Sequence, residues 1–432
     1  MRFIVIGITD NPQPWFLPEV LQVIKQGKVF SGGKRHHEIV VPLLPESAIW
    51  IDITVPLDDV FAQYTADEII VFASGDPLFF GFANTIKRRM PEAEVVVYPT
   101  FNTLQILAHR LVMPYHDMRI VSLTGRPWQE FDRALIEMRI ANPSQRKIGI
   151  LTDREHTPAT IAQRMLEYGY NYYNMYVGEH LGNPEREKVT TLSLDEAAHR
   201  EFSKPNCVII SEGGDSCVPL VASVLRPSGK SPSQQSGISN PRQRPYGLPD
   251  AAFALLDGRE KMITKMPIRL LTLQALELPK RHVFWDIGFC TGSVSIEARL
   301  LFPHLQIEAF EIRPECEAII QENARRFGAP GIGIHIGDFL QAAMPVGSPT
   351  GSPDAVFIGG HGGRLKEIMA KVLTVLAPDG VIVMNSVAAP KVTTDSRQLW
   401  DEACSELGLK QEPPMRIQLN DNHPITILKC KR

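Results

Sequence analysis

Short apolar runs alternate with stretches of helical periodicity along most of the chain. In the first half, the runs Phe3–Ile6, Ile69–Ala73, Val95–Tyr98, Ile148–Thr152 and Asn206–Ile210 predict strands. Apolar residues three and four apart predict helices over Leu17–Gln26, Phe80–Arg89, Leu104–Leu111, Trp128–Arg139 and Ala159–Tyr168. From Met266 onward the same alternation resumes. Strands alternating with helices predict an α/β layer architecture in both halves. The halves are not copies of each other, because their glycine turns differ in spacing and strand context. Between Gly213 and Pro249 the pattern stops. Arg226–Pro245 is dominated by Ser, Pro, Gln, Gly and Arg, with few groups to bury. We therefore expect domains over 1–212 and 250–432, joined by a linker over 213–249.

The second half opens on the most informative stretch, Val283–Glu297. An apolar strand ends in Asp286, a glycine turn runs from Gly288 through Thr291 to Gly292, and Val294, Ile296 and Ala298 start a helix. Strand, glycine turn, helix is the nucleotide-binding opening of a doubly wound sheet. The next apolar strand, Ile307–Ile312, carries Glu311 nineteen residues after Gly292, where an acid can accept both ribose hydroxyls. Asp338 and Phe339 follow a third strand. The turn lacks the full G-x-G-x-x-G spacing, which favours a ligand without pyrophosphate. S-adenosylmethionine (SAM) fits; an NAD-type or unliganded α/β domain is the alternative.

Length and composition narrow the class. A chain of 432 residues exceeds one ordinary core, and its 22% charged and 44% hydrophobic residues suit a globular protein. A net charge of −3 favours no nucleic-acid partner. No apolar run approaches the roughly 18 residues of a membrane span, and no cleavage site follows the first strand. The six cysteines contain no C-x-x-C pair, which fits a reducing cytoplasm and argues against a metal site.

In the first half, Gly75-Asp76-Pro77 forms a turn at a strand end, where ligands bind in open sheets. An ordinary Asp-Pro turn is the alternative. Gly32–His37, Pro99–Gln105 (with Asn102 and Thr103), Leu123–Arg126 and Leu151–Pro158 each follow an apolar run. In this order the segments resemble the tetrapyrrole methylases, in the cobalamin-pathway branch acting on precorrin-6Y. The second half, through Asp257–Arg269, the SAM turn and Ala355–Gly360, resembles the decarboxylating partner of that branch. Together they resemble the fused two-domain, decarboxylating precorrin-6Y methyltransferases. The resemblance covers nearly everything outside the seam. It implies a tetrapyrrole-methylase-like α/β domain followed by a Rossmann-like class I SAM-dependent methyltransferase domain, with two SAM sites per chain and self-association. It assigns C5 methylation to the first domain and C15 methylation with loss of the C12 acetate carboxyl to the second.

The chain departs from the family in three places. Its first loop reads Gly7-Ile-Thr-Asp-Asn11, so Asp10 either repels an anionic substrate or binds a main-chain amide. Thr100 stands at a usual glycine, and Cys290 at the middle glycine of the SAM turn. That cysteine is a packing residue or a reactive thiol.

Methyl transfer from a sulfonium to an enamine-like carbon needs alignment in a dry cleft more than a strong base. No nucleophile–base set stands out. A tetrapyrrole bearing many carboxylates calls for cations. The candidates are Lys34, Arg35, His36 and Arg126 in the first half, and Arg269 and Arg364 in the second. Lys265 and His361 are the catalytic candidates; for His361 the choice is proton donor or loop histidine. Thr264, beside Lys265, joins the cofactor candidates. An RNA methyltransferase with an appended binding domain is the competing function. The balanced charge and the lack of a basic stripe weigh against it.

Overall fold

The computed structural model describes residues 1–140, 146–212, 247–259, 261–343, 351–387, 396–419 and 424–431. They group into two compact units. The first takes the described residues of Met1–Pro127, Asn142–Leu166 and Asn171–Pro232; the second takes those of Trp128–Ala141, Glu167–Tyr170 and Ser233–Arg432.

The first unit holds two sheets. Strands β1 (Arg2–Ile8), β2 (Val29–Gly32), β3 (Ile49–Asp52), β4 (Glu68–Ser74) and β5 (Glu94–Tyr98) form one sheet in the order β3-β2-β4-β1-β5. Its pairs are all parallel. A parallel sheet is covered on both faces, so β1 and β4 are apolar without interruption. Alternate residues feed opposite cores: Phe3, Val5, Ile69 and Val71 on one face, Ile4, Ile6, Ile70 and Phe72 on the other. The second sheet contains β6 (Arg119–Ser122), β7 (Lys147–Leu151), β8 (Tyr173–Glu179), β9 (Lys188–Ser193) and β10 (Asn206–Glu212), in the order β6-β7-β10-β8-β9. Only β6 and β7 are parallel; the other pairs are antiparallel.

The second unit has one sheet. Its strands are β11 (Val283–Ile287), β12 (Gln306–Glu311), β13 (Ile332–Ile336), β14 (Ala355–Ile358), β15 (Val381–Val387), β16 (Lys410–Gln411), β17 (Met415–Ile417) and β18 (Ile425–Lys431). The order is β13-β12-β11-β14-β15-β18-β16, with β17 also on β18. Pairs from β13 to β15 are parallel, and β18 runs antiparallel to β15. The chain reverses its direction of strand addition between β11 and β14. In open sheets the crevice at the carboxyl ends of such strands is where ligands bind.

The five strands expected in the first half all form, within a residue or two of the expected ends. The expected helix from Phe80 starts two residues later, at Phe82, because Phe80 sits at φ +56° and Gly81 caps the helix. Most of the expected linker, 213–246, lies outside the described residues. Its last residues are anchored in the second unit: buried Leu248 donates its N–H to Glu297 Oε2 at 2.9 Å and accepts from Arg269. Among the described residues, no helix is long and apolar enough to cross a membrane.

Candidate functional site

The cleft of the second unit opens at the predicted place. About 450 Å³ lies at the carboxyl ends of β11 to β14, lined by Gly288, Glu311, Asp338, Phe339, His361 and Arg364 among others. Six candidates scattered over the sequence thus meet in one cavity. Its volume falls in the range of small-ligand sites, roughly 300–1,000 Å³. Gly288, at φ +79°, faces the Gly360 backbone; a Cβ there would lie 2.6 Å from the Gly360 nitrogen. The turn and the strand ends therefore approach as closely as only glycine permits.

Glu311 is buried and accepts the Cys290 N–H at 3.0 Å on Oε2. Arg313 grips the same carboxylate with Nε to Oε1 at 3.0 Å and Nη2 to Oε2 at 2.9 Å. Asp338 accepts the Leu340 N–H at 3.0 Å and Arg364 Nη1 at 3.0 Å, and these bonds lower its pKa. Phe339 packs edge-on against Phe310, ring centroids 5.1 Å apart. Lys371 Nζ donates to the carbonyls of Phe339, Leu340 and Ala342, which pins the turn after β13. His361 Nδ1 accepts the Gly363 N–H at 3.1 Å, so the neutral ring carries its proton on Nε2. Burial lowers the pKa of His361 and favours that neutral form.

Other second-half candidates lie off this lining. Asp286 is fully buried, and burial raises its pKa to about 7. Ser295 Oγ donates to its Oδ2 at 2.6 Å, and Oδ1 has no partner among the described residues. Thr291 is buried, and its carbonyl accepts from Asn323. Gly292 meets Ile320: a Cβ would fall 2.3 Å from Ile320 Cγ1. Packing against Ile320 and a φ of +70° both call for glycine there. Cys290 takes a glycine-like φ of +48° beside Cys316. Burial pushes both thiols up, Cys316 to about 12, which fits packing rather than reactivity.

Arg269 is fully buried and committed to Glu297, Asp250, and the carbonyls of Thr264 and Leu248. A substrate carboxylate cannot reach it, so its expected binding role gives way to a structural one. Lys265, half exposed and 4.0 Å from Asp250, precedes the helix Met266–Ala275 and does not line the cleft.

In the first unit a cavity of about 90 Å³ lies at the carboxyl ends of β1 and β4, lined by Asp10, Arg35, Ser74, Gly75, Phe101 and Thr103 among others. This enclosed space is well below a ligand pocket, so a cofactor here needs the cleft to widen or must extend beyond it. Among the described residues the Asp10 carboxylate is held by side chains rather than by a main-chain amide. Its carboxylate receives Arg35 Nη1 at 2.5 Å and His180 Nδ1 at 3.0 Å, while Asn183 donates to its carbonyl. Arg186 donates to His180 Nε2 at 2.9 Å, which places the imidazole proton on Nδ1. Arg35 Nη2 and His36 Nε2 both meet Ser74 Oγ, at 2.8 and 2.9 Å. Burial, then the Arg35 charge, pushes His36 down to about 4.

Asp76 Oδ1 accepts the Leu78 N–H and shapes the turn, with Pro77 buried behind it. Asn102 caps the helix Thr103–Arg110 by accepting the Gln105 N–H, so its side chain is already engaged. Lys34 is exposed. Arg126 donates to Ser122 and lies over the Phe80 ring, away from the cavity lining. Sequence reasoning missed His180, Asn183 and Arg186; the polar cluster after the apolar run Tyr173–Gly178 was their signal.

Residues 18–198 match the family model for tetrapyrrole (corrin/porphyrin) methylases, and residues 256–426 match the precorrin methyltransferase domain. The chain is 30% identical to the precorrin-6Y C(5,15)-methyltransferase (decarboxylating) of Sinorhizobium, over 94% of this chain and 88% of that protein. It is 33% identical to the cobalt-precorrin-6B C(15)-methyltransferase (decarboxylating) of Salmonella typhimurium, over 41% of this chain and 93% of that protein. Similarity to the cobalt-precorrin-7 C(5)-methyltransferase of Salmonella typhimurium is 26% identity, over 48% of this chain and 98% of that protein.

Proposed function

The chain belongs to the precorrin-6Y C5,15-methyltransferase (decarboxylating) family, and on that premise we propose that it is a SAM-dependent C-methyltransferase of cobalamin biosynthesis. It methylates a precorrin-6 type tetrapyrrole at C5 and C15 and removes the C12 acetate carboxyl as carbon dioxide. The observation that carries this reading is the gathering of Gly288, Glu311, Asp338 and Phe339 around one cleft at the strand reversal. An acid after the second strand and a glycine whose Cβ position is filled by backbone suit a ribose and an adenine without pyrophosphate. The proposal includes a second SAM site in the first unit, at the turn Gly75-Asp76-Pro77, and domains over 1–212 and 250–432.

SAM supplies a methyl group on a positive sulfur. The protein's part is to bind, align and exclude water. Glu311 takes the ribose hydroxyls, and Asp338 with Phe339 holds the adenine side. Arg364 in the second unit, and Arg35 aimed by Asp10 in the first, hold substrate carboxylates. When the acetate carboxyl leaves as carbon dioxide, the pair that bonded it enters the conjugated ring. His361 lines the cleft and returns a proton as the imidazolium, which requires Nδ1 to release the Gly363 N–H and take up a proton first. An RNA substrate finds no support in the relatives described above.

The direct test is mass spectrometry of the product formed from a precorrin-6 type substrate and SAM. Two added methyl groups and one lost carbon dioxide are expected. An unchanged tetrapyrrole with a folded, SAM-binding chain refutes the reading.

A further inference from the structure

In the cleft of the second unit the acid expected to take the ribose is already saturated. Glu311 Oε1 accepts the N–H groups of Ile312 at 2.9 Å and Arg313 at 3.2 Å, and Arg313 Nε at 3.0 Å. Oε2 accepts the Cys290 N–H at 3.0 Å and Arg313 Nη2 at 2.9 Å. A carboxylate offers about four lone-pair positions. Two ribose hydroxyls cannot be added to these donors. The backbone N–H groups are fixed by the turns that carry them, and only the guanidinium can swing away. The arrangement repeats across the cleft, where Asp338 holds Arg364 Nη1 at 3.0 Å. Both arginines line the same cavity as the acids that neutralise them.

We propose that Arg313 is a carboxylate receptor masked by Glu311 and released by the cofactor, so that SAM binds this cleft before the anionic tetrapyrrole. This rests on the reading of Glu311 as the ribose acceptor. With Glu311 turned to the ribose, the Arg313 charge loses its counter-ion. Its other described polar contact is the Met262 sulfur at 3.6 Å, which cannot neutralise it. The next anion entering the cleft, a carboxylate of the tetrapyrrole, matches the planar fork that Glu311 gave up. Binding the cofactor thus favours the second ligand, and linkage makes the coupling reciprocal. Arg313 also has a cost: it competes with ribose for Glu311.

Calorimetry on the full chain tests this with S-adenosylhomocysteine as the cofactor probe and the octacarboxylate uroporphyrin as the polyanion probe. The S-adenosylhomocysteine phase lost in Glu311→Gln identifies this cleft. Arg313→Gln should tighten that phase by roughly three- to thirtyfold, the competing ion pair being gone. In the wild type, S-adenosylhomocysteine should tighten uroporphyrin binding, and Arg313→Gln should abolish the part of that coupling arising here. Glu311→Gln gives an independent reading. Without any cofactor it should bind uroporphyrin more tightly than the wild type, because Arg313 is unmasked. An unchanged or weakened S-adenosylhomocysteine phase in a folded Arg313→Gln chain overturns the proposal. So does unchanged uroporphyrin affinity in Glu311→Gln. If Glu311→Gln leaves every S-adenosylhomocysteine phase intact, the reading of Glu311 as the ribose acceptor itself fails.

Discussion

Single side chains divide into those whose chemistry was legible and those whose partners were not. The place of Glu311 was legible: a buried acid at the end of the strand after the glycine turn, lining the cleft. Glu311→Gln keeps shape and removes the charge. It should cost about 1.5–3 kcal/mol of SAM affinity at that site alone, read by calorimetry. Unchanged affinity would make Glu311 a purely structural acid. Arg313, two residues on, was not legible, because nothing in its spacing says that its guanidinium folds back onto Glu311. Asp10 was misread for the same reason: its partners His180 and Arg35 come from distant segments. His36 yields a pH prediction. Its pKa falls from 6.5 to about 4, so between those values the unfolded chain takes up a proton that the native state refuses. Stability contributed by the neutral ring is complete above pH 6.5 and declines as pH drops toward 4. Discounted for partial exposure, the loss is about 1–2 kcal/mol. Thermal melts of the wild type and His36→Gln from pH 7 to 4 should show a shallower fall in the variant. Parallel curves would refute the assignment.

At the scale of elements, strand direction did not decide what was legible: β10, antiparallel to both neighbours, was expected from its apolar run, whereas the short parallel strands β2 and β3 were not. β1, β4 and β11 are buried on both faces and spell apolar runs, broken inside β11 only by the buried Asp286. β9 has no buried position, and its Lys188–Ser193 sequence carries no such run. Turns behave similarly. The glycines of the Gly288–Gly292 turn were visible, but Gly292 meets Ile320 and sits on a left-handed backbone that no local pattern announces. The turn after β13 is held by a contact no local pattern announces, the Lys371 ammonium on three carbonyls. Lys371→Met leaves those carbonyls without their shared donor and frees the turn that carries Asp338 and Phe339. We expect SAM affinity at this site to fall roughly fivefold and the unit to lose about 1–3 kcal/mol in urea unfolding. Lys371→Arg should restore part of both. A stability loss with unchanged SAM affinity would confine Lys371 to a structural role.

For the whole molecule, the first unit has two sheets and the second one, and each unit has its own cores and its own cleft at parallel strand ends. Two activities in one chain should therefore be separable by substitutions within one unit. Gly292→Asp is a poor tool, because a side chain there strikes Ile320 and tests folding rather than chemistry. Glu311→Gln with Asp338→Asn is better: both changes are isosteric, and each removes a charge from the cleft without adding volume. Asp338 is partly exposed, and the single amide oxygen of the glutamine that replaces Glu311 can keep the main-chain donors of one carboxylate oxygen, so the sheet should persist. The doubly substituted chain should still methylate once, through the first unit, when SAM is limiting. It should lose the second methylation and the release of carbon dioxide, because one cleft is proposed to host both. The product mass would then show one added methyl and every acetate retained. Asp76→Ala should give the complementary defect, since it removes the acceptor that shapes the Gly75–Pro77 turn. Such a chain should still decarboxylate a substrate already methylated at C5. If the Glu311→Gln, Asp338→Asn chain folds and forms the doubly methylated, decarboxylated product at the wild-type rate, those steps do not belong to the second unit.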